Sequence, residues 1–480
     1  MSFIQFDRKI NKLMLVFPPT TLNGVGMEDS FPPNGLLSIA NYLNENKPEI
    51  EIRVVDGSVT PFDKIVNNIK DFCPDIVGFS ILLGNYSNAK KLLKVAKDVE
   101  AITVVGNHHA KYLFNLVQDN PTFDIPHLDY IIEGKRGEYS LLSLINAIEN
   151  NFSLENIESL AYKSEKYFRT NSVRKKYPKI KNRTFPSFKF IDDFSPYFES
   201  YSKIFRNFHE KPDELKQINI NYIEGCRQGC SEPCIYCCLK DHKIDFLSPA
   251  DYWKNIQDRI ELGFNYFFET CNSLSSLQFS KYNGSNYLES LANSIPSSIA
   301  GKFNMMVYAR ADEINTSTIN AFKKIGVHRV IFGFDSGDDI VLKNGIHKKD
   351  ILSNSNINAA RILNSEGIQI YACYVPGSES ESNDSLKRTY EQIQKLLELR
   401  NTSVIEFTSL APMPGSSAWK SISTSYIDKY GLSDEIDIQH LAQKWIEEKA
   451  PNITWDMVQE YKENIRIITI SKNKIFGGYY

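Results

Sequence analysis

Short β-rich runs alternate with amphipathic segments over the first 150 residues. Between the runs, apolar residues recur at helical spacing, which is the pattern of a parallel sheet covered by helices on both faces. We therefore predict a doubly wound, Rossmann-like α/β domain over residues 1–150. The predicted strands are residues 12–17, 52–56, 76–80, 103–105 and 130–133. Ligands of such sheets bind beyond the carboxyl ends of the strands, so candidate site residues are sought there.

The next part of the chain has no clear period. Residues 151–215 are polar and rich in lysine, arginine and aromatic residues, with prolines at positions 178, 186 and 196. Such composition is typical of loops, and we predict a linker over residues 151–215.

The alternation of strands and helices resumes after the predicted linker. Six strand–helix repeats predict a partial (β/α)6 barrel over residues 216–420. The predicted strands are residues 218–223, 266–268, 303–308, 330–334, 368–375 and 404–407. Residues 421–480 have helical spacing and no catalytic pattern, so we predict a helical C-terminal extension.

Composition excludes some partners. The 480 residues carry 55 Lys and Arg against 58 Asp and Glu, a formal charge of −3, and the basic residues form no stripe. A nucleic-acid partner is therefore not expected. No stretch approaches the roughly 20 apolar residues of a membrane span, and the N-terminus does not resemble a signal peptide. We expect a cytoplasmic protein with no membrane partner.

The cysteines are concentrated in one short segment. Five of the eight lie within residues 226–238, which does not resemble a secreted disulfide framework and suggests a metal in a reducing compartment. Cys230, Cys234 and Cys237 form the one C-x-x-x-C-x-x-C frame. Three thiolates on one loop can hold three irons of a [4Fe–4S] cluster and leave the fourth iron open. A structural zinc site is the alternative, but the position after the first strand of the barrel favours the cluster.

With Tyr236 just before the third cysteine, this loop resembles the signature of the radical S-adenosylmethionine (SAM) superfamily. The resemblance implies that Cys230, Cys234 and Cys237 are catalytic ligands of a [4Fe–4S] cluster whose open iron binds SAM. Reduction of SAM would then release a 5′-deoxyadenosyl radical that abstracts hydrogen from the substrate. It also implies an external electron donor of the flavodoxin or ferredoxin type.

Later segments resemble the cofactor-binding segments of this superfamily, in the same order along the chain. Glu269 ends the second strand and would meet the amino group of SAM, and Arg310 would contact its carboxylate. Asp335 stands where relatives usually carry glutamate, and residues 412–416 resemble a Pro-Gly loop after the sixth strand. The resemblance thus implies SAM contacts from Tyr236, Glu269, Arg310, Asp335, Ser336 and Gly377.

The first domain carries a second resemblance. Residues 32–37, 77–82, 104–110 and 132–138 follow the order seen in cobalamin-binding domains fused to radical SAM barrels. Small residues there would let the nucleotide tail of cobalamin approach the backbone. The D-x-H-x-x-G motif that supplies the lower histidine of cobalt elsewhere is missing, since residues 56–61 read DGSVTP. The implied cobalamin contacts are Ser80, Leu82, Gly106, Glu133 and Gly134.

The leading hypothesis is a cobalamin-dependent radical SAM enzyme that methylates an unactivated carbon of a small metabolite, a natural-product intermediate or a peptide. The alternative is a radical SAM enzyme with a degenerate first domain that catalyses dehydration, rearrangement or aminocarboxypropyl transfer. A methylthiotransferase is disfavoured, because Cys73 is the one cysteine of the first domain and cannot hold a second cluster. A non-catalytic iron–sulfur or zinc protein is the third hypothesis.

Overall fold

The computed structural model describes residues 8–20, 31–165, 167–228, 232–238 and 243–477. The described residues form two compact units. Unit 1 contains the residues up to Tyr197 together with Leu432–Ile436, and unit 2 contains Phe198–Gly431 and the chain from Asp437 onward. Cys230 lies outside the described residues.

Unit 1 is built on one sheet in the order β2-β1-β3-β4-β5-β6-β7. Strands β1 to β5 are parallel, in the order of a doubly wound fold, and β6 and β7 extend the sheet in antiparallel pairing. This confirms the predicted α/β fold class. The strands are β1 (Lys12–Phe17), β2 (Glu51–Asp56), β3 (Ile76–Ser80), β4 (Ile102–Gly106), β5 (Tyr130–Ile132), β6 (Leu160–Ser164) and β7 (Tyr167–Thr170).

Amphipathic helices cover this sheet. In the second of them, Ile65, Ile69 and Phe72 are buried at spacings of four and three residues, so one stripe faces the core and the polar residues face outward. The helices of unit 1 are α1 (Asn34–Asn46), α2 (Phe62–Phe72), α3 (Tyr86–Asp98), α4 (His108–Asp119) and α5 (Gly137–Asn150).

The predicted linker over residues 151–215 differs from the structure, because β6 and β7 lie inside it. Leu160, Ala161, Tyr162 and Phe168 are buried, whereas the residues between and after them are lysine, arginine and other polar types. Short strands at a sheet edge with one exposed face carry few apolar residues, so their composition resembles that of a loop.

Unit 2 contains a curled, open parallel sheet in the order β18-β17-β16-β15-β14-β11-β8. Six of these strands fall at the six predicted barrel strands, which confirms the partial barrel. β18 comes from the predicted helical extension and pairs with β17. The strands of unit 2 are β8 (Gln217–Ile220), β9 (Ile223–Glu224), β10 (Asp245–Phe246), β11 (Tyr266–Glu269), β12 (Lys281–Tyr282), β13 (Ser285–Asn286), β14 (Asn304–Ala309), β15 (Val327–Asp335), β16 (Gln369–Tyr374), β17 (Thr402–Phe407) and β18 (Ile475–Gly477).

Helices follow most of the strands of this sheet. Ser248 begins α7 by accepting a hydrogen bond from the Asp251 amide at 3.1 Å, and Pro249 occupies the first helical position. None of the helices in the described ranges has the length and apolar character that a membrane crossing requires. The helices are α6 (Ser195–Phe205), which crosses the boundary between units, α7 (Pro249–Glu261), α8 (Tyr287–Asn293), α9 (Thr316–Lys324), α10 (Ser353–Ser365), α11 (Asn383–Leu397), α12 (Ser417–Tyr430), α13 (Ile438–Lys449) and α14 (Trp455–Ser471).

Candidate active site

The described residues of the cysteine loop, 226–228 and 232–238, follow β8 and β9 at the carboxyl end of the sheet of unit 2. The Cys237 amide donates to the Cys234 carbonyl at 2.9 Å, which closes a turn around the residues between them. Within that turn, the Ile235 amide donates to the Ile346 carbonyl at 3.2 Å, and the Ile235 carbonyl accepts from the Ala418 amide at 3.1 Å. The turn is therefore anchored on both sides by segments distant in sequence.

The segment after β15 contributes most of these anchors. A π-helical turn, Val341–Gly345, lies between β15 and the anchoring residues 346–349, and such turns are frequent at functional sites. The side-chain nitrogen of Gln228 donates to the His347 carbonyl at 2.5 Å, and the Lys349 ammonium pairs with the Glu232 carboxylate at 2.7 Å. Gln228, just before the cysteine frame, and Glu232, within it, are thus bound to His347 and Lys349.

A buried ion pair ties the cysteine loop to the end of β15. The Lys348 ammonium lies 2.5 Å from an Asp335 carboxylate oxygen, and the Tyr236 hydroxyl donates to the same oxygen at 2.9 Å. Lys348 also donates to the Gly333 carbonyl at 2.6 Å. The Asp335 and Lys348 side chains are 1% and 8% exposed, so this pair is shielded from water. Lys348 belongs to none of the motifs that predicted the site.

The backbone of Asp335 is in the left-handed region, with φ at +60°. That conformation is uncommon for any residue other than glycine and costs on the order of 1 kcal/mol. The surrounding contacts hold it in place, and the carboxylate is aimed at Lys348 and Tyr236 as a result. Strained backbone of this kind is typical of ligand sites.

Burial and the Lys348 charge act on the Cys234 thiol in opposite directions. Burial raises the pKa of the Cys234 thiol to about 11, while the Lys348 charge opposes the rise. Burial alone would lower the pKa of Lys348, but the charges of Asp335 and Cys234 outweigh it and leave that pKa raised. A buried thiol of this kind loses its proton when a metal binds it. The donor set therefore fits an iron–sulfur cluster.

Among the described residues, which do not include Cys230, no group of three or more His, Cys, Asp or Glu side chains stands in a metal-binding arrangement.

Arg310 follows β14 and reaches the cysteine loop. Its guanidinium pairs with Asp312 at 3.1 Å and with Glu313 at 3.4 Å, and it donates to the Gln228 side chain. Asp312 also pairs with Arg227 at 3.2 Å. Arg310 is thus next to the predicted SAM site, with two carboxylates already bound to it.

Ser336 and Gly377 shape the ends of β15 and β16. The Ser336 hydroxyl lies 3.2 Å from the Thr389 hydroxyl of α11 and accepts from the Asp338 amide at 3.1 Å. Gly377 has φ at +104°, and a Cβ there would come within 3.2 Å of Ile446. Its carbonyl accepts from the Trp445 indole at 2.7 Å. These contacts fix the strand-end loops around the cysteine loop.

Glu269 is placed differently from the other predicted SAM contacts. Phe267 packs on Phe303, whereas Phe268 faces Tyr308 on the opposite side of the sheet. Side chains alternate along a strand, so Glu269 shares the helix-covered face with Phe267. Burial raises its pKa well above the usual range, with partial opposition from the amides of Tyr222 and Cys271 and from the Tyr252 hydroxyl. No hydrogen bond joins Glu269 to a described residue of the cysteine loop, and both of its buried carboxylate oxygens are unbonded among the described residues.

A further polar cluster lies on β16 and β17, on the face opposite to that of Tyr374, whose hydroxyl bonds to α11. The Tyr371 hydroxyl donates to Glu406 at 2.8 Å, and the Cys373 thiol lies 3.6 Å from the same oxygen. Cys373 is in register with Gly333, the residue whose carbonyl binds Lys348. Parallel strands are usually continuously apolar, so a glutamate within β17 was a sequence signal for this cluster that we did not use.

In unit 1, the predicted cobalamin contacts fall at neighbouring strand ends. Ser80 of β3 and Gly106 of β4 are in register, and the Asn107 side chain donates to the Ser80 hydroxyl at 2.9 Å. The Leu82 amide is bound by the Asn85 side chain at 2.7 Å. The edge that these residues form is the ligand-binding edge of a doubly wound sheet.

The two glycines of this edge differ in their surroundings. A Cβ at Gly106 would have the Ile132 carbonyl at 3.8 Å as its nearest neighbour, so the fold itself leaves room there. Gly134 has φ at +91°, and a Cβ there would lie 2.9 Å from the Tyr177 hydroxyl, so the fold requires glycine. Beside it, Glu133 is buried with one carboxylate oxygen unbonded among the described residues, and burial raises its pKa. The absence of a side chain at Gly106, which the fold itself does not require, fits the close approach of a cofactor.

The segment that would carry a lower cobalt ligand is used structurally. Asp56 accepts from the Ser58 hydroxyl at 2.5 Å and from the Tyr197 hydroxyl at 2.7 Å. The buried His109 ring bonds to the Asp434 carbonyl at 2.9 Å, and burial lowers its pKa to about 4. Both side chains therefore stabilise unit 1.

Known proteins share this fold. Residues 23–135 match the B12-binding domain family. The radical SAM methyltransferase TsrM from Kitasatospora setae, solved with cobalamin and a [4Fe–4S] cluster bound, superposes with a TM-score of 0.63 at 14% identity, covering 87% of this chain and 75% of TsrM. This chain has the fold of the cobalamin-dependent radical SAM family. The radical SAM enzyme OxsB, solved with aqua-cobalamin and SAM, superposes with a TM-score of 0.61 at 16% identity, covering 97% of this chain and 62% of OxsB.

Sequence relatives extend over most of the chain. An uncharacterized methyltransferase of Pyrococcus horikoshii is 23% identical over 431 residues, which cover 86% of this chain and 83% of the relative. The anaerobic magnesium-protoporphyrin IX monomethyl ester cyclase of Cereibacter sphaeroides is 21% identical over 392 residues, which cover 79% of this chain and 59% of the cyclase. The similarity therefore includes both units.

Proposed function

We propose that this protein is a cobalamin-dependent radical SAM methyltransferase that acts on an unactivated carbon of a small substrate. The observation that carries the proposal is the combination, in one chain, of a B12-binding domain over residues 23–135 with a cysteine loop held at the carboxyl end of an open parallel sheet. The first supplies a place for a methyl carrier, and the second a place for a radical generator.

The residues of unit 2 divide into three roles in this proposal. Cys230, Cys234 and Cys237 hold the cluster, and the pair Asp335–Lys348 fixes Tyr236 beside it. Arg310, Ser336 and Gly377 surround the SAM site, with Lys348 as an added candidate for its carboxylate. Glu269 is left out, because its carboxylate lies on the helix-covered face.

When bound, the [4Fe–4S] cluster, SAM and cobalamin supply the electron, the radical and the methyl group. In unit 1, Ser80, Leu82, Gly106, Glu133 and Gly134 form the edge on which the cobalamin tail would rest. The electron comes from an external donor of the flavodoxin or ferredoxin type, and the cytoplasm is the compartment that keeps the thiols reduced.

The sheet also suggests how a substrate is held. Glu406, with Tyr371 and Cys373 beside it, offers a hydrogen-bonding wall one strand away from Gly333 and Lys348. A small polar metabolite fits this wall, since its polar group can bind Glu406 while a carbon faces the SAM site. A peptide could bind in the same way if one of its polar side chains reached Glu406.

The proposal is tested by purifying the protein anaerobically from cells supplied with hydroxocobalamin. We expect about four irons and about one cobalt per chain, with 5′-deoxyadenosine and S-adenosylhomocysteine both formed from SAM after reduction. Iron without cobalt, with 5′-deoxyadenosine or 5′-methylthioadenosine formed and no S-adenosylhomocysteine, would replace the methyltransferase by the cobalamin-independent alternative. Zinc without iron would contradict both.

Gly106→Leu tests the cobalamin edge directly. A Cβ at Gly106 meets only the Ile132 carbonyl, in ordinary contact at 3.8 Å, so the leucine side chain is expected to extend toward the place of the cofactor without straining unit 1. We expect cobalt per chain to fall at least about tenfold, which corresponds to roughly 1.4 kcal/mol of binding energy, while iron content and the thermal midpoint stay unchanged. Unchanged cobalt in Gly106→Leu would contradict the assignment.

A further inference from the structure

A buried arginine lies at the opposite end of the sheet from the cysteine loop. Arg329 is the third residue of β15, six residues before Asp335, which places the two roughly 20 Å apart along the strand. Its side chain is fully buried. Arg329 and its neighbours are therefore separate from the proposed SAM site.

The guanidinium of Arg329 has polar neighbours but no acidic one. It donates to the Gln369 side-chain oxygen at 3.0 and 2.5 Å and to the Tyr201 hydroxyl at 3.1 Å, and it lies 4.2 Å from the centre of the Phe205 ring. No carboxylate oxygen of the described residues lies within 4 Å of it. These bonds use three of its five N–H groups.

A buried charge without a partner of opposite sign is costly, by several kcal/mol for an ion moved out of water. Neutral hydrogen-bond acceptors and an aromatic ring offset part of that cost. They supply no negative charge, so the positive charge of Arg329 stays uncompensated near the amino end of β15.

Two histidines with unbonded ring nitrogens stand beside Arg329. The rings of His209 and His328 are stacked with their centres 4.8 Å apart, and Tyr266 meets His209 edge-on at 5.2 Å. Among the described residues, nothing bonds to the buried Nε2 of His209 or the buried Nδ1 of His328. Burial, together with the Arg329 charge, lowers their pKa values to about 2 and about 3, so both rings are neutral near pH 7.

We propose that Arg329, His209 and His328 form a binding site for a small monovalent inorganic anion, such as chloride, at the floor of the partial barrel. The two remaining N–H groups of Arg329 donate to the anion, and each neutral imidazole has one N–H that can do so as well. One negative charge balances the one uncompensated positive charge. Because Arg329 and Tyr266 are fully buried, the ligand has to be small and without a chain that leads to solvent.

The site has a structural consequence for unit 2. Tyr201 and Phe205 belong to α6, and the Gln369 side chain that binds Arg329 also donates to the Phe208 carbonyl just beyond this helix. The anion would therefore hold the end of α6 and the segment after it against β15 and β16. Anion binding is expected to stabilise unit 2 without taking part in SAM chemistry.

Bromide is the probe for the experiment, because its anomalous scattering identifies it in a crystal. In crystals of the holoprotein grown with sodium bromide, we expect an anomalous peak within hydrogen-bonding distance of Arg329 and of at least one of the two histidines. In solution, replacing sodium gluconate by sodium bromide or chloride at constant ionic strength is expected to raise the thermal midpoint of unit 2 by about 2–4 °C.

Variants separate a specific site from a general salt effect. Arg329→Met and His209→Phe are expected to lose most of the halide-dependent shift, and Arg361→Met, at an exposed position of α10, is expected to keep it. If Arg329→Met does not fold, the anomalous bromide peak in the crystal and the halide-dependent thermal midpoint of the wild type still test the proposal. No bromide peak at Arg329, with equal midpoints in halide and gluconate, would overturn the proposal, and so would a phosphate-dependent shift without a halide-dependent one.

Discussion

Cys234→Ala and Cys237→Ala are each expected to remove the iron from the protein and to abolish SAM cleavage. A [4Fe–4S] cluster with three protein ligands has no replacement when one thiolate is lost, because its fourth iron is the open site for SAM. We expect iron to fall from about four per chain to near zero, and 5′-deoxyadenosine formation to fall to that of protein without iron. Iron and sulfide analysis together with the absorption spectrum measures the first, and product chromatography the second.

Cys238→Ala is the matched control for these variants. Cys238 adjoins Cys237 but lies outside the C-x-x-x-C-x-x-C frame, and its thiol is 3.6 Å from the Pro414 carbonyl. We expect this variant to keep its iron and its SAM cleavage. If Cys238→Ala lost the iron while Cys237→Ala retained it, the frame would be misassigned. If all of the variants bound zinc and no iron, the chain would be a zinc protein.

The strand pattern was the part of the fold most accessible from sequence. β1 and β3 begin and end at the predicted residues, because parallel strands buried on both faces form continuous apolar runs bounded by polar residues. The same rule failed for β6 and β7, which lie at a sheet edge and have one polar face. It also missed β18, a strand of three residues at the end of a helical region.

The candidate site was accessible only in part, for reasons that concern side-chain direction. A one-dimensional motif locates Glu269 at a strand end but does not fix which face it occupies, and a shift of one residue reverses that face. Lys348 carries no recognisable motif. It lies in a loop 13 residues after Asp335, and its ammonium group reaches the Asp335 carboxylate because a π-helical turn directs the chain between them. Contacts of this kind depend on tertiary structure.

Lys348→Met is expected to destabilise unit 2 by about 3–5 kcal/mol, because it leaves the buried Asp335 carboxylate without its counter-charge. Tyr236 would remain as a hydrogen-bond donor to that carboxylate but cannot replace the charge. All four tryptophans of the chain, Trp253, Trp419, Trp445 and Trp455, lie in unit 2, so their fluorescence during urea unfolding reports on this unit.

Two further variants make the effect of Lys348→Met specific. Lys349→Met removes a neighbouring lysine whose pair with Glu232 is more than half exposed on both sides, so the expected loss is below about 1 kcal/mol. Asp335→Asn combined with Lys348→Met removes both charges and is expected to recover much of the lost stability. If Lys348→Met and Lys349→Met were equally mild, the ion pair would not be what fixes Tyr236 and the cysteine loop to β15.

The same variants separate the contribution of the Asp335–Lys348 pair to stability from its contribution to SAM binding. The double variant restores stability but has neither the ammonium group nor the carboxylate, so its affinity for SAM is expected to stay reduced by roughly 10–100-fold, as for a lost hydrogen bond to a charged group. Lys348→Arg keeps the charge and is expected to recover part of that affinity. A double variant that bound SAM as tightly as the wild type would limit Lys348 to a structural role, and Arg310 would then be the remaining candidate for the SAM carboxylate.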